Sequence, residues 1–205
     1  MIENIHWLGH DTFKIFGEQI IYTDPYQIAT KDTADIILIT HGHYDHCSLE
    51  DVQKLRTKET IVVAPPDCAS TLGGAVKKVK PGDSLTVGQI HIQVVPAYNI
   101  NKQFHPKQNG WVGYVITLGG ARIYFAGDTD RIPEMKNLGE IDIALLPVSG
   151  VYVMTAKEAA EAALDIKPSF AIPMHYGSIV GSSRDAEEFK KILEGKVSVV
   201  IKPEE

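Results

Sequence analysis

Six consecutive residues limit what this chain can be: His41-Gly42-His43-Tyr44-Asp45-His46. Three imidazoles and a carboxylate in so short a stretch have no ordinary structural role, because capping a helix needs one short polar side chain. The cluster follows Ile36-Ile37-Leu38-Ile39, an apolar run that suits a strand buried on both faces. It precedes Ser48, which reads as an N-cap, with Asp51 three residues on and Leu49, Val52 and Leu55 at helical spacing. The cluster therefore occupies a loop between a buried strand and a helix. His41 and His43, two apart on an extended segment, can turn their rings to the same side. Imidazole and carboxylate suit borderline and hard divalent ions such as zinc, manganese or iron.

The surrounding pattern is rich in short strands. Segments 5–8, 12–16, 19–23, 61–64, 141–146, 169–172 and 197–201 read as strands, and hairpins are expected around Gly88 and around Gly119-Gly120. Residues 155–164, capped by Thr155 with Glu158 three residues on, and residues 183–193 read as helices. Strands dominate early and strand–helix alternation runs through both halves, which predicts an α+β fold of two packed sheets with helices outside. The 205 residues contain no linker or low-complexity tract, so a single domain over 1–205 is expected.

Composition narrows the partners. A formal net charge of -6 gives no general attraction for nucleic acid or anionic lipid, and no basic stretch is interleaved with aromatics. An anionic substrate stays compatible, because bound cations reverse the local sign. No segment supplies the roughly 18 apolar residues of a membrane helix, and the first residues lack a basic leader, so a cytoplasmic location is expected. Cys47 and Cys68 read as reduced, partly buried thiols.

Further candidates stand at the ends of apolar strands, where open sheets place functional groups. Asp128 follows Ile123-Tyr124-Phe125-Ala126, and His175 follows Phe170-Ala171-Ile172-Pro173. His105 lies in the polar loop 101–110, whereas His91 alternates with Ile90 and Ile92 and is expected to face solvent. His10, in the turn Gly9-His10-Asp11, reads as a group near the pocket, and His6 as a strand residue without a chemical role. Asp24 can orient a ligand histidine through a carboxylate–imidazole hydrogen bond.

The segment 41–46 matches the H-x-H-x-D-H signature of the metallo-β-lactamase fold superfamily, and Asp128 and His175 follow in its order and approximate spacing. Trp7-Leu8-Gly9-His10, Thr23-Asp24-Pro25, Ala126-Gly127-Asp128-Thr129-Asp130 and Pro173-Met174-His175-Tyr176-Gly177 resemble the branch that includes ascorbate-phosphate lactonase-like proteins. The resemblance implies a four-layer αββα sandwich with two divalent metal ions at one edge, zinc in first place and manganese or iron as alternatives. It implies His41, His43 and a third histidine, taken as His105, around one ion. Asp45, His46 and His175 would surround the other, with Asp128 bridging. Relatives often carry the third histidine directly after a Pro-Ala pair. Here Pro96-Ala97 is followed by Tyr98-Asn99.

The expected activity is metal-dependent hydrolysis of an ester-like bond (lactone, phosphodiester or amide) in a small molecule. A cation lowers the pKa of bound water to roughly 7 in favourable zinc sites. Asp45 and His10 are the candidate catalytic groups. Tyr98, Asn99 and Tyr176 flank ligand candidates and could bind substrate by hydrogen bonds. The alternatives on the same fold are a di-iron oxidoreductase, which usually needs a flavin partner domain, and a non-catalytic metal-binding module.

Overall fold

The computed structural model describes residues 1–29 and 32–205. The first sheet has the order β1 (Ile5–Trp7), β2 (Phe13–Ile15), β3 (Ile21–Thr23), β4 (Ile36–Leu38), β5 (Ile61–Ala64) and β6 (Val76–Lys78). Its first three strands are antiparallel meanders and the rest add in parallel. In chain order the second sheet consists of β7 (Ser84–Val87), β8 (Ile90–Pro96), β9 (Val112–Leu118), β10 (Ala121–Phe125), β11 (Ile143–Pro147), β12 (Phe170–Met174) and β13 (Ser198–Val199). It repeats the scheme, antiparallel through β10 and parallel beyond it.

Burial shows why the layers form. Along β4 and the residue after it, Ile36 and Leu38 join one hydrophobic cluster and Ile37 and Ile39 another. On β5, Val63 joins the first, and Val62 and Ala64 join the second. Side chains alternate across a strand, so these strands are covered on both faces. The smaller cluster lies under α1 (Leu49–Leu55) and α2 (Pro66–Leu72), through Val52, Leu55, Cys68 and Leu72. The larger contains residues of both sheets and, from α3 (Ala156–Ile166) and α4 (Ser183–Ile192), Ala159, Ala163, Ala186 and Phe189. The result is the expected αββα sandwich.

The cap expected at Ser48 is present: its hydroxyl accepts from the Asp51 N–H and donates to Asp51 Oδ2 at 2.7 Å. Thr155 and Glu158 form a reciprocal capping box. Neither α2 nor β6 was expected. The last strand is also shorter than the expected 197–201. Both cysteines are buried free thiols. Residues 202–205 return to the free edge of β1, where Glu204 pairs with Trp7 and the Glu205 N–H donates to the Trp7 carbonyl at 3.1 Å. His6 on β1 meets the Glu205 carboxylate at 2.8 Å. His91 reaches Thr86 across its hairpin at 3.3 Å. Among the described residues no helix is long and apolar enough to cross a membrane.

Candidate metal centre

Both sheets deliver polar side chains to one edge of the sandwich. His10 follows β1, Asp24 follows β3, and residues 41–46 follow β4. From the second sheet come His105 in the β8–β9 loop, Asp128 after β10 and His175 after β12. The strand ends approach closely because Gly127, at φ 62°, has no side chain: a Cβ there would lie 2.8 Å from Thr40 Cγ2. His10, Asp24 and His175 also adopt positive φ, at 49°, 34° and 59°.

Two triads of imidazole nitrogens form. Those of His41, His43 and His105 lie within 4.8 Å of one another, as do those of His10, His46 and His175. Asp128 stands between them, with Oδ2 3.1 Å from both His105 Nε2 and His175 Nε2 and Oδ1 3.5 Å from His46 Nε2. Asp45 Oδ2 is 3.1 Å from His10 Nε2 and 3.7 Å from His46 Nε2.

A second ring of groups holds the imidazoles. Asp24 Oδ2 accepts from His46 Nδ1 at 2.9 Å and from the Thr40 hydroxyl at 2.6 Å. Thr40 Oγ1 in turn lies 2.9 Å from His41 Nδ1. Asn99 Oδ1 takes both the backbone N–H of His105, at 2.9 Å, and its Nδ1, at 3.2 Å. Ser149 Oγ lies 2.9 Å from His175 Nδ1. In each case Nδ1 is engaged and Nε2 is turned inward, which fixes tautomer and direction. Trp111 walls this side, 4.9 Å from the rings of both His41 and His43, with Nε1 donating to Asp67 at 2.7 Å.

The donor set fits divalent cations. Among the described residues, the buried His46 Nε2, His105 Nε2 and Asp128 Oδ1 have no hydrogen-bond partner. Buried polar atoms are seldom left so, and a cation satisfies all three. His41 Nε2 and His43 Nδ1 face each other at 3.0 Å, near the ~3.3 Å edge of a tetrahedral zinc–imidazole site. The charges agree. Burial opposes ionisation of Asp128, yet the charges of His175 and His46 outweigh it and hold its carboxyl well below the usual range. Burial, then the charge of His46, keeps the His41 imidazole deprotonated far below its ordinary value. Burial lowers His10 to about 4, against the hydrogen bond it donates to Asp45. Asp45 stays ionised: burial raises it, but His10 and His46 more than offset that.

His41, His43, Asp45, His46, His105, Asp128 and His175 thus meet in one place, and His10 stands beside them. The three expected substrate contacts are engaged elsewhere. The Tyr98 hydroxyl donates to Glu134 at 2.9 Å, Asn99 supports His105, and the buried Tyr176 stacks on Trp7 with ring centres 4.8 Å apart. Sequence reasoning missed Thr40, Ser149 and Asp11. Asp11 is fully buried, neither carboxylate oxygen is hydrogen-bonded among the described residues, Oδ2 lies 3.9 Å from His46 Nδ1, and burial raises its pKa well above the usual range. Thr40 and Ser149 stand beside strand ends that carry ligand candidates, the one signal that could have exposed them. The mouth of the centre is a cavity of about 290 Å³ lined by His43, Tyr44, Asp45, Phe104, Tyr152 and Ile179, with His105 and Asp128 at its floor.

Comparison with known proteins agrees with this geometry. Residues 4–175 match the model of the β-lactamase superfamily domain. A UPF0173 metal-dependent hydrolase of Thermococcus onnurineus is 35% identical, over 96% of this chain and 95% of its own length. One from Pyrococcus furiosus is 36% identical over 96% and 95%. The crystal structure of a putative metal-dependent hydrolase from Parabacteroides distasonis superposes with a TM-score of 0.88 at 36% identity, covering 97% of this chain and 91% of that one. Igni18, a metallo hydrolase of Ignicoccus hospitalis, gives a TM-score of 0.80 at 25% identity, over 98% and 95%. The chain belongs to the metallo-β-lactamase superfamily and, within it, to the UPF0173 family of metal-dependent hydrolases.

Proposed function

We propose that this hydrolase works with two divalent cations, zinc in first place, and cleaves an ester-like bond (lactone, phosphodiester or amide) in a small molecule. His41, His43 and His105 would hold one cation. His46, His175 and Asp45 would hold the other, and Asp128 would join them. Bound there, the cations supply Lewis acidity and an activated water at neutral pH. The observation that carries this reading is the position of Asp128 between two imidazole triads, 3.1 Å from a nitrogen of each.

The chain's own residues supply orientation and proton handling. Asp45 Oδ2 accepts from His10 Nε2 at 3.1 Å, which fixes the carboxylate at the edge of the cavity. An ionised Asp45 can hold the attacking water by one hydrogen bond while the neutral His10 secures its other side. Trp111 packs against the His41 and His43 rings and covers one side of the floor. The stretches that resemble ascorbate-phosphate lactonase-like proteins support testing a lactone first.

The test is a panel of lactone, phosphodiester and β-lactam substrates, run with metal analysis of the same sample. Metal-dependent turnover of an ester-like member is expected. Asp128→Ala and His43→Ala should each lose about 10²–10³-fold in turnover, on the order of removing one electrostatic element of a site, and should bind less metal. Undiminished turnover in the Asp128 variant with unchanged metal content would remove the bridging role.

A further inference from the structure

The walls of the cavity above the centre differ sharply from its floor. Phe104 and Tyr152 meet edge to face with ring centres 4.7 Å apart, and Tyr44 and Ile179 complete the lining. Among the described residues, Tyr44, Ile100, Phe104 and Val151 are the four most exposed large apolar side chains, at 68%, 61%, 49% and 49%. Each lies on one of the loops that supply wall residues, or next to one. Scattered exposed apolar residues need no explanation, but a concentration around a polar floor marks a ligand surface.

The loop carrying Phe104 is pinned on both sides. Asp130 Oδ2 accepts from the Ile100 N–H at 2.8 Å and Oδ1 from Lys102 Nζ at 2.5 Å, while Asn99 holds His105. The aromatic ring is therefore held at the mouth although it contributes nothing to the core.

Charge points the same way. Among the described residues that line the cavity none is lysine or arginine, whereas Asp45 and Asp128 are carboxylates. The two cations of the adjoining loop are already engaged, Lys102 with Asp130 at 2.5 Å and Lys107 with Glu134 at 3.0 Å. A phosphate or carboxylate on the non-reacting part of a substrate would be desolvated against aromatic rings without a partner.

We propose that the site takes a substrate whose non-reacting part is uncharged and apolar, an aromatic or branched aliphatic group seated among Phe104, Tyr152, Tyr44 and Ile179. The cavity of about 290 Å³ matches the lower end of small-molecule sites, so the group is no larger than a substituted ring. This rests on the two-cation hydrolase reading and narrows its substrate. It makes Phe104 and Tyr152 the residues that set specificity.

The experiment uses the zinc-loaded protein and two hydroxamates of similar length, 4-phenylbutanohydroxamate and glutaric acid monohydroxamate. The chelating head is shared and only the tail differs. Calorimetry should show the phenyl ligand bound at least tenfold more tightly. Phe104→Ser with Tyr152→Ser should bring the two within about threefold, and Phe104→Arg should reverse the order. Equal or tighter binding of the carboxylate by the unaltered protein, or a preference that survives the double variant, would overturn the proposal. Turnover of a matched phenylbutyrate and hemiglutarate ester pair is measured alongside. Preference in binding with no turnover of either ester removes carboxylic esters from the hydrolase reading and leaves the apolar pocket standing. Turnover that favours the hemiglutarate ester sinks the pocket and leaves the hydrolase.

Discussion

At the scale of single residues, the centre depends on what stands behind the imidazoles. Asp24 is fully buried and serves His46 directly and His41 through Thr40. Asp24→Ala should lower metal affinity about 10–100-fold, the usual loss when a carboxylate behind a ligand histidine is removed. Competition with a chromophoric chelator reads this; unchanged affinity would show that Thr40 alone orients the rings. The polar floor was legible because residues 41–46 are chemically dense, and because His105, Asp128 and His175 occupy loops just past or just before strands. Side-chain direction was not legible. Tyr98, Asn99 and Tyr176 neighbour ligand candidates in sequence, but the loop path turns them to Glu134, His105 and Trp7. Phe104, Tyr152 and Ile179 read as ordinary apolar residues until the fold places them together.

Among the elements, α1 anchors residues 27 and 28 of the connection between β3 and β4. Asp51 accepts from Gln27 N at 2.9 Å, Ile28 N at 3.2 Å, Ser48 Oγ at 2.7 Å and Lys54 Nζ at 2.9 Å. Burial raises its pKa, but the hydrogen bonds from Lys54, Ser48 and Gln27 outweigh this and the net shift is downward. The unfolded chain therefore binds the proton more readily than the folded one. The stabilisation is complete above about pH 4–5 and disappears as pH falls through the lowered folded value. Asp51→Asn should cost about 1–3 kcal/mol near neutrality. It should also flatten the acid limb of the stability profile, measured by urea unfolding at stepped pH; an unaltered limb would place the acid sensitivity elsewhere. Helices with caps and apolar spacing were readable from sequence. The helix α2 was not, because its seven residues are too short to repeat an apolar face and offer only Cys68 and Leu72, one turn apart. The edge strand β6 carries exposed lysines, which conceal its pairing.

At the scale of the whole molecule, the candidate ligands divide between the sheets, 41–46 on one and His105, Asp128 and His175 on the other. Cations bound there would join the two halves, so loading should stabilise the fold beyond any local effect. Free zinc at 100 times its dissociation constant should add about 2.7 kcal/mol per site. Chelator-treated protein should melt lower in calorimetry and recover when zinc is restored; identical melting with and without zinc would argue that the metal does not bind the folded state selectively. The two-sheet architecture itself was legible from strand–helix alternation. The return of the C-terminal residues to β1 was not, because a pairing across about 200 positions leaves no local pattern. That return has a consequence for solubility. The Glu205 N–H occupies the Trp7 carbonyl, and Glu204 lies alongside Trp7, where an outermost strand would otherwise offer its edge to a neighbouring molecule. Deleting residues 202–205 should leave a sticky ribbon beside the His10 turn and drive self-association, seen as concentration-dependent sedimentation, whereas a chain that stays monodisperse would show the tail to be ornamental.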